Sequence, residues 1–190
     1  DRVGIMIRRA DGQFMSITGN QVGALLLDYI LTAYENTGTM PDKPYAVKTI
    51  VSTELATKIC REHNVDIYNV LTGFKFIGEV IKNHDDVGDG HYLFGFEESY
   101  GYLKGTYARD KDSVVASMLI VEMAAYYKAK GMTLYDALLR MYEKYGYYTE
   151  TTVNVAMKGL DGAEKMKALM DSLRKEPPKT IGGLKVMSMR

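Results

Sequence analysis

Cysteine is nearly missing from this chain: Cys60 is alone among 190 residues. No internal disulfide can form, and no cysteine-built metal site is possible. A reducing, cytoplasmic setting is expected. Net charge is also missing, with 24 Lys and Arg against 24 Asp and Glu. Nothing therefore favours nucleic acid or an anionic membrane as a partner. A locally basic pocket stays open. No apolar run reaches membrane-spanning length. His63, His84 and His91 fall at the ends of different expected elements, which argues against a shared metal. There is no Gly-rich phosphate loop of the Walker or dinucleotide type, no repeat with a period of about 20–50 residues and no low-complexity tract. The four prolines form two pairs, Pro41 with Pro44 and Pro177 with Pro178, and each pair marks a break.

What remains is a globular composition, 46% hydrophobic and 25% charged. Val3 to Arg9 and Gln13 to Ile17 read as strands joined at Asp11-Gly12. Asp-Gly suits a primed turn with positive φ at both central residues. Val22, Leu25, Leu26, Tyr29 and Ile30 recur at helical spacing, with Asn20 or Thr18 as cap. From Tyr45 the chain alternates. A strand over 46–51 precedes a helix capped by Ser52 or Thr53; a strand over 66–71 precedes a helix carrying Phe76, Ile77, Val80 and Ile81; a third strand covers 91–96. This rhythm predicts an α/β fold, a three-layer α/β/α sandwich around a mixed, largely parallel sheet. Two more helices begin at Asp112 or Ser113 and at the Thr133/Asp136 capping box. Their tyrosines and methionines are read as packing. Boundaries are expected near 40 and 150, giving segments 1–40, 41–150 and 151–190. In the last segment 151–155 alternates like an exposed strand, 162–174 is an amphipathic helix, and 184–190 looks like a strand just begun. With a strand pattern starting at Val3, the expectation is a stretch of a longer protein.

The chemistry gathers at three strand ends. Val51-Ser52-Thr53, Thr72-Gly73-Phe74-Lys75 and Gly95 to Gly101 all follow strands. In a parallel sheet they share the carboxyl edge, where ligands bind. They supply hydroxyls, the Lys75 ammonium and the carboxylates Glu97 and Glu98; Arg109-Asp110-Lys111-Asp112 adds two cations before a helix start. Hydroxyls and carboxylates suit sugar hydroxyls, and cations with helix N-termini suit phosphate. The plain alternative for each is solvation: an acidic turn at 97–99, a surface lysine at 75, a salt-bridge cluster at 109–112, and Thr72 as a helix cap.

The same junctions resemble the α-D-phosphohexomutase family, which includes phosphoglucomutases and phosphomannomutases. Asp1-Arg2-Val3-Gly4 is similar to the tail of its metal loop, Asp-x-Asp-x-Asp-Arg. Thr18-Gly19-Asn20-Gln21 looks like the helix start that follows. Thr72-Gly73-Phe74-Lys75 resembles its third-domain loop, Phe96-Glu97-Glu98-Ser99-Tyr100-Gly101 its sugar loop Gly-Glu-Glu-Ser-x-Gly, and Arg109-Asp110-Lys111-Asp112 its Arg-Asp-Lys-Asp-Gly. Phe96 and Ser113 depart from that pattern, each standing where the family has glycine.

The resemblance implies a four-domain parent that moves phosphate between the 1- and 6-positions of a hexose through a bisphosphate. Residues 1–40 would end the Mg²⁺-binding second domain, 41–150 would be the sugar-binding third, and 151–190 would open the phosphate-binding fourth. Glu97 and Ser99 would hold neighbouring ring hydroxyls, Thr72 would line the pocket, and Arg2 and Lys111 would neutralise charge near the reacting phosphate. No general acid or base is assigned beyond Lys111 as a candidate. Asp1 alone represents the metal loop, so Mg²⁺ belongs to the parent and none is expected on this stretch. The phosphoserine loop is also expected elsewhere, so the chain by itself is expected inactive. Its implied partners are a hexose phosphate and the parent's other domains, with no nucleic acid or membrane. Two competing readings are a stand-alone sugar-phosphate binding module and a structural interaction domain whose loop acids are merely solvated.

Overall fold

Two short hairpins of the same design frame the first part of the chain. The computed structural model describes residues 1–151, 155–159 and 161–187. β1 (Met6–Arg8) pairs antiparallel with β2 (Phe14–Ser16). The connection differs from the two-residue primed turn expected from Asp-Gly. Arg9 N donates to Gln13 O at 2.8 Å, leaving Ala10, Asp11 and Gly12 as a three-residue loop. Only Gly12 takes a positive φ, 82°. Asp11 stays out of that region because its carboxylate accepts from Gln13 N. This is the three-residue hairpin ending in a left-handed residue.

The main sheet has four strands in the order β4-β3-β5-β6. β3 (Pro44–Thr49), β4 (Asp66–Val70) and β5 (His91–Glu97) are mutually parallel, and β6 (Gly101–Leu103) runs antiparallel to β5. The alternation of strands and helices from Tyr45 onward thus forms the α/β fold with a mixed, mostly parallel sheet. β6 is an addition to the expected topology. Its three residues are too few to show a period of their own.

The second hairpin lies between β5 and β6. Glu97 pairs with Gly101, so Glu98, Ser99 and Tyr100 form a three-residue loop. Its last residue again takes the left-handed conformation, but here it is Tyr100, at φ 67°. A side chain there is disfavoured by about 1 kcal/mol. The surroundings impose it: Val3 N donates to Tyr100 O, and α1 (Gly19–Thr37) presses its first residue against the loop.

Helices cover both sheet faces. α3 (Phe74–Val87) lies on one, where Phe74, Ile77 and Ile81 pack with Tyr45, Val47, Tyr92 and Leu103. On the other face α1, α2 (Leu55–Glu62), α4 (Ser113–Ala129) and α5 (Leu134–Tyr145) form the larger core with Ala46, Leu93, Phe94, Phe96 and Tyr102. A bulge makes both cores possible. The register of β5 on β3 shifts between Tyr45 and Ala46, so Tyr92 joins the α3 core while both Leu93 and Phe94 join the other. α1 lies in the same core as α2, α4 and α5, and residues Asp1–Glu150 form one compact unit.

Capping follows local chemistry. Thr18 and Gln21 make a reciprocal box at α1, Thr133 and Asp136 another at α5, and Asp112 accepts from Val114 N and Val115 N at α4. At α2 it is Thr53 that accepts, from Leu55 N. α3 starts without a side-chain cap, at Gly73.

Residues Thr151–Arg190 form a second unit. It contains α6 (Gly162–Lys175) and a hairpin of β7 (Thr180–Ile181) and β8 (Leu184–Lys185). Gly182 and Gly183 both take positive φ, as a primed two-residue turn requires. Most of the strand expected over 151–155 and the end of the one expected over 184–190 lie outside the described residues.

Candidate functional site

The carboxyl ends of β3, β4 and β5 lie side by side, and the loop after β5 is where the polar groups converge. Glu97, last residue of β5, is buried at 3% exposure. Arg2 Nη2 lies 3.9 Å from its Oε1. Gly101 sits directly across from it, and a Cβ built there would come within 2.8 Å of Glu97 Oε1 and 2.9 Å of Lys111 Cδ. Lys111 Nζ in turn lies 3.0 Å from both Asp1 Oδ2 and Asp110 Oδ1. One carboxylate and two cations thus meet over a glycine that leaves them room.

Burial raises the Glu97 pKa, and the neighbouring Glu98 carboxylate raises it further; Lys111, Arg2 and a hydrogen bond from Ser99 oppose that shift. The result is a buried carboxyl with acceptor capacity beside two ammonium or guanidinium groups. Such a set can accept hydrogen bonds from a diol and attract an anion attached to it.

The five expected residues around this loop, Asp1, Arg2, Glu97, Ser99 and Lys111, therefore come together. Thr72 does not join them. It is exposed, at the end of β4, and β3 lies between β4 and β5. That places it roughly 10 Å across the sheet edge from the Glu97 loop. Lys75 sits over the Phe76 ring at 4.8 Å. Arg109 also turns away from Lys111: it pairs with Asp85 of α3 and donates to the Thr106 carbonyl. Asp112 caps α4 and accepts from Tyr107 at 2.6 Å. Within Arg109-Asp110-Lys111-Asp112, only Asp110 and Lys111 reach the site.

Sequence reasoning missed the layer beneath. Lys48, the penultimate residue of β3, has a fully buried side chain. Its Nζ donates to Ser52 O at 3.1 Å and to Glu54 Oε1 at 3.1 Å. A lysine interrupting the strand-like stretch Tyr45-Ala46-Val47-Lys48-Thr49-Ile50-Val51 is the available signal. Thr49 hydrogen-bonds Ser52, and its hydroxyl donates to Glu98 Oε2 at 3.2 Å. Asn20, weighed as a helix cap, instead accepts from Thr53 N at 3.1 Å.

A divalent cation finds little here. The Asp1 carboxylate is already paired with Lys111, and among the described residues no three His, Cys, Asp or Glu side chains converge. These donors do not compose an Mg²⁺ shell, which needs several oxygen ligands.

The model of the phosphoglucomutase/phosphomannomutase family, alpha/beta/alpha domain III, matches residues 18–145. The chain belongs to this family. It is 37% identical over 189 residues to a phosphoglucomutase of Staphylococcus haemolyticus and 40% identical over 189 residues to one of Staphylococcus aureus. Each alignment covers 100% of this chain and 33% of the relative. The chain thus spans about a third of the length of the curated relatives it matches. Among solved structures, the fold is shared with the open form of the Paramecium phosphoprotein pp63/parafusin, a phosphoglucomutase (TM-score 0.61, 19% identity, 90% of this chain and 28% of that one). It is also shared with Aspergillus fumigatus N-acetylphosphoglucosamine mutase in complex with GlcNAc-6P and magnesium (TM-score 0.55, 17% identity, 92% and 42%). The family is one of isomerases of carbohydrate metabolism. Among the described residues no helix is long and apolar enough to cross a membrane.

Proposed function

We propose that this chain is the sugar-recognition portion of a phosphoglucomutase-type phosphohexomutase, which interconverts hexose 1-phosphate and hexose 6-phosphate through a bisphosphate. The observation that carries this reading is the buried Glu97 carboxylate facing Arg2 and Lys111 across Gly101. Glu97 and Ser99 accept and donate hydrogen bonds to adjacent ring hydroxyls. A carboxylate that holds a vicinal diol can do so in either orientation of the sugar, which a substrate that turns over between two transfers needs. Arg2 and Lys111 offset phosphate charge, and Thr72 lines the far rim. Phosphoryl transfer depends chiefly on positioning and electrostatics, so such groups matter without touching the nucleophile.

The parent's Mg²⁺ would be held mainly by residues other than these, with Asp1 as one ligand. The remaining partners are the hexose phosphate and the parent's other domains. Residues 1–40 are assigned to the metal-binding domain, 41–150 to the sugar domain and 151–190 to the phosphate-binding one. The cytoplasm is the setting proposed for the parent. Catalysis by this chain alone is not expected, because the matched relatives are about three times its length.

Calorimetric titration with glucose 1-phosphate tests the reading. Binding is expected, and Glu97→Ala should abolish it. No binding, or binding that Glu97→Ala leaves intact, would overturn it. Mutase turnover by the isolated chain would overturn the inactive-fragment assignment.

A further inference from the structure

The recognition loop carries two adjacent carboxylates, and only the first faces the proposed sugar. Glu97 faces Arg2 and Lys111, whereas Glu98 reaches in another direction, to Thr49 at the end of β3. We propose that Glu98 is a positioning residue: tied through Thr49 to the β3–α2 loop, it holds the Glu98–Tyr100 hairpin loop so that Glu97 and Ser99 face one ligand together. This rests on the sugar-recognition reading for its ligand, but not for the tie itself.

A one-way chain of donors makes the tie. A carboxylate can only accept, so the Thr49 hydroxyl, 3.2 Å from Glu98 Oε2, is the donor. Thr49 must then accept from the Ser52 hydroxyl, 2.8 Å away. Both residues are buried, at 0% and 4% exposure, so water does not compete for these bonds. The base of the chain is clamped in turn. Lys48 Nζ grips the Ser52 carbonyl and the Glu54 carboxylate, and Asn20 of α1 accepts from Thr53 N.

The loop is held from the other side as well. A Cβ on Gly19 would lie 2.0 Å from Glu98 O and 2.9 Å from Tyr100 N, so the start of α1 touches the loop backbone. Tyr100 keeps a left-handed φ that its side chain disfavours. A three-residue loop in that state persists only where its surroundings over-determine it. The Glu98–Thr49 bond is the side-chain anchor in that set.

The experiment compares Thr49→Val, which keeps the shape and removes the donor, with Thr49→Ser, which keeps the donor. Two readouts need no ligand: amide hydrogen exchange at residues 98–101, and the carboxyl-carbon NMR titration of Glu97. Thr49→Val is expected to speed that exchange about tenfold. It should also move the Glu97 midpoint down, because a loosened loop lets water reach a group whose shift comes mostly from burial. Arg2, Lys111, Glu98 and Ser99, which also face Glu97, are unchanged in that variant. Thr49→Ser should restore both. Glucose 1-phosphate affinity should fall about tenfold in Thr49→Val and return in Thr49→Ser. Wild-type exchange and an unmoved Glu97 titration in Thr49→Val would overturn the proposal. If Thr49→Val does not fold, Glu98→Ala removes the other end of the tie, and amide exchange at residues 99–101 alone decides, because loss of the Glu98 charge lowers the Glu97 midpoint by itself. A wild-type chain that takes up no glucose 1-phosphate overturns the recognition reading alone, and the ligand-free readouts still decide the tie.

Discussion

Glu97 and Lys111 approach Gly101 from two sides, and neither could keep its place if that residue had a side chain. Gly101 is the first residue of β6, paired across the hairpin with Glu97 itself. The glycine therefore serves close approach, since it keeps an ordinary negative φ. Gly19 also serves close approach, but its neighbours are backbone atoms of Glu98 and Tyr100. The two glycines are crowded by different kinds of atom, and that difference separates a cost to the site from a cost to the fold.

Gly101→Ala should leave stability within about 1 kcal/mol of wild type, because Glu97 and Lys111 can swing aside. The same movement should weaken glucose 1-phosphate binding. Gly19→Ala should destabilise by about 2–3 kcal/mol, because backbone cannot yield so easily. Urea denaturation of both variants checks the ordering. Equal losses in the two would contradict it.

How much of this was legible beforehand depended on how local the cause was. The parallel strands at 44–49, 66–70 and 91–97 and the reciprocal cap at Thr133/Asp136 were legible because a few neighbouring residues determine them, whereas at α1 Thr18 and Asn20 stood as alternatives and the return bond from Gln21 shows only in the fold. β6 was not, because three residues carry no period and form a strand only by pairing with β5. The Leu93 bulge was hidden for a similar reason: it exists to feed two cores that no single strand reveals. At the site, Glu97 and Lys111 could be named, but their meeting over Gly101 could not. Thr72 was grouped with them on the shared sheet edge, yet an intervening strand separates it from the Glu97 loop. The partners of Glu98 and Lys48 could not be named, because Thr49 and Glu54 come within reach only once β3 and its loop are folded.

Away from the loop, His63 ties α2 to α1 and α5. Its Nε2 is 2.9 Å from the Tyr145 hydroxyl, which donates to Asp28 Oδ1 at 2.6 Å. Its Nδ1 lies 2.8 Å from Glu35 Oε1 but off the axis of a directed bond, so that contact is an ion pair. The Asp28 carboxylate, 3.7 Å from Nε2, raises the His63 pKa above its ordinary 6.5 against the opposing effect of burial. For Asp28, burial alone would raise the pKa, but the nearby His63 ring and the bond from Tyr145 outweigh it and hold it below 3.8. Stability from His63 is therefore complete below pH 6.5 and lost as pH rises through its folded value. Stability from Asp28 is present above pH 3.8 and lost as pH falls through its folded value. Thermal unfolding should be most resistant between those limits. His63→Gln should cost about 2 kcal/mol at pH 6 and remove the decline on the alkaline side. A decline that persists in the variant would assign it to another group.

Lys48 offers a test of the buried clamp. Lys48→Met keeps much of the stem's packing and removes the ammonium, leaving the Ser52 carbonyl without its donor. A loss of about 1–3 kcal/mol is expected from that orphaned acceptor. Lys48→Ala should cost more, since the stem also fills the core. Denaturant midpoints for the two variants check this. A Met variant as stable as wild type would mean the ammonium contributes nothing net, as replaced buried charges sometimes do.

Glu97 should show function held at the expense of stability. Its pKa is raised by burial and by Glu98, so the folded state holds this proton more tightly than the unfolded chain does. Stability must then fall as pH rises from the ordinary 4.5 through the folded value, and the deficit persists at neutral pH. Glu97→Gln removes the ionisable group and keeps the shape. It should raise the melting temperature at pH 7, have little effect at pH 4, and weaken glucose 1-phosphate binding. Melting curves at both pH values and one titration suffice. A variant that melts lower at pH 7 than wild type would mean that Arg2 and Lys111 more than offset the burial of this carboxylate, and that the site is not strained by it.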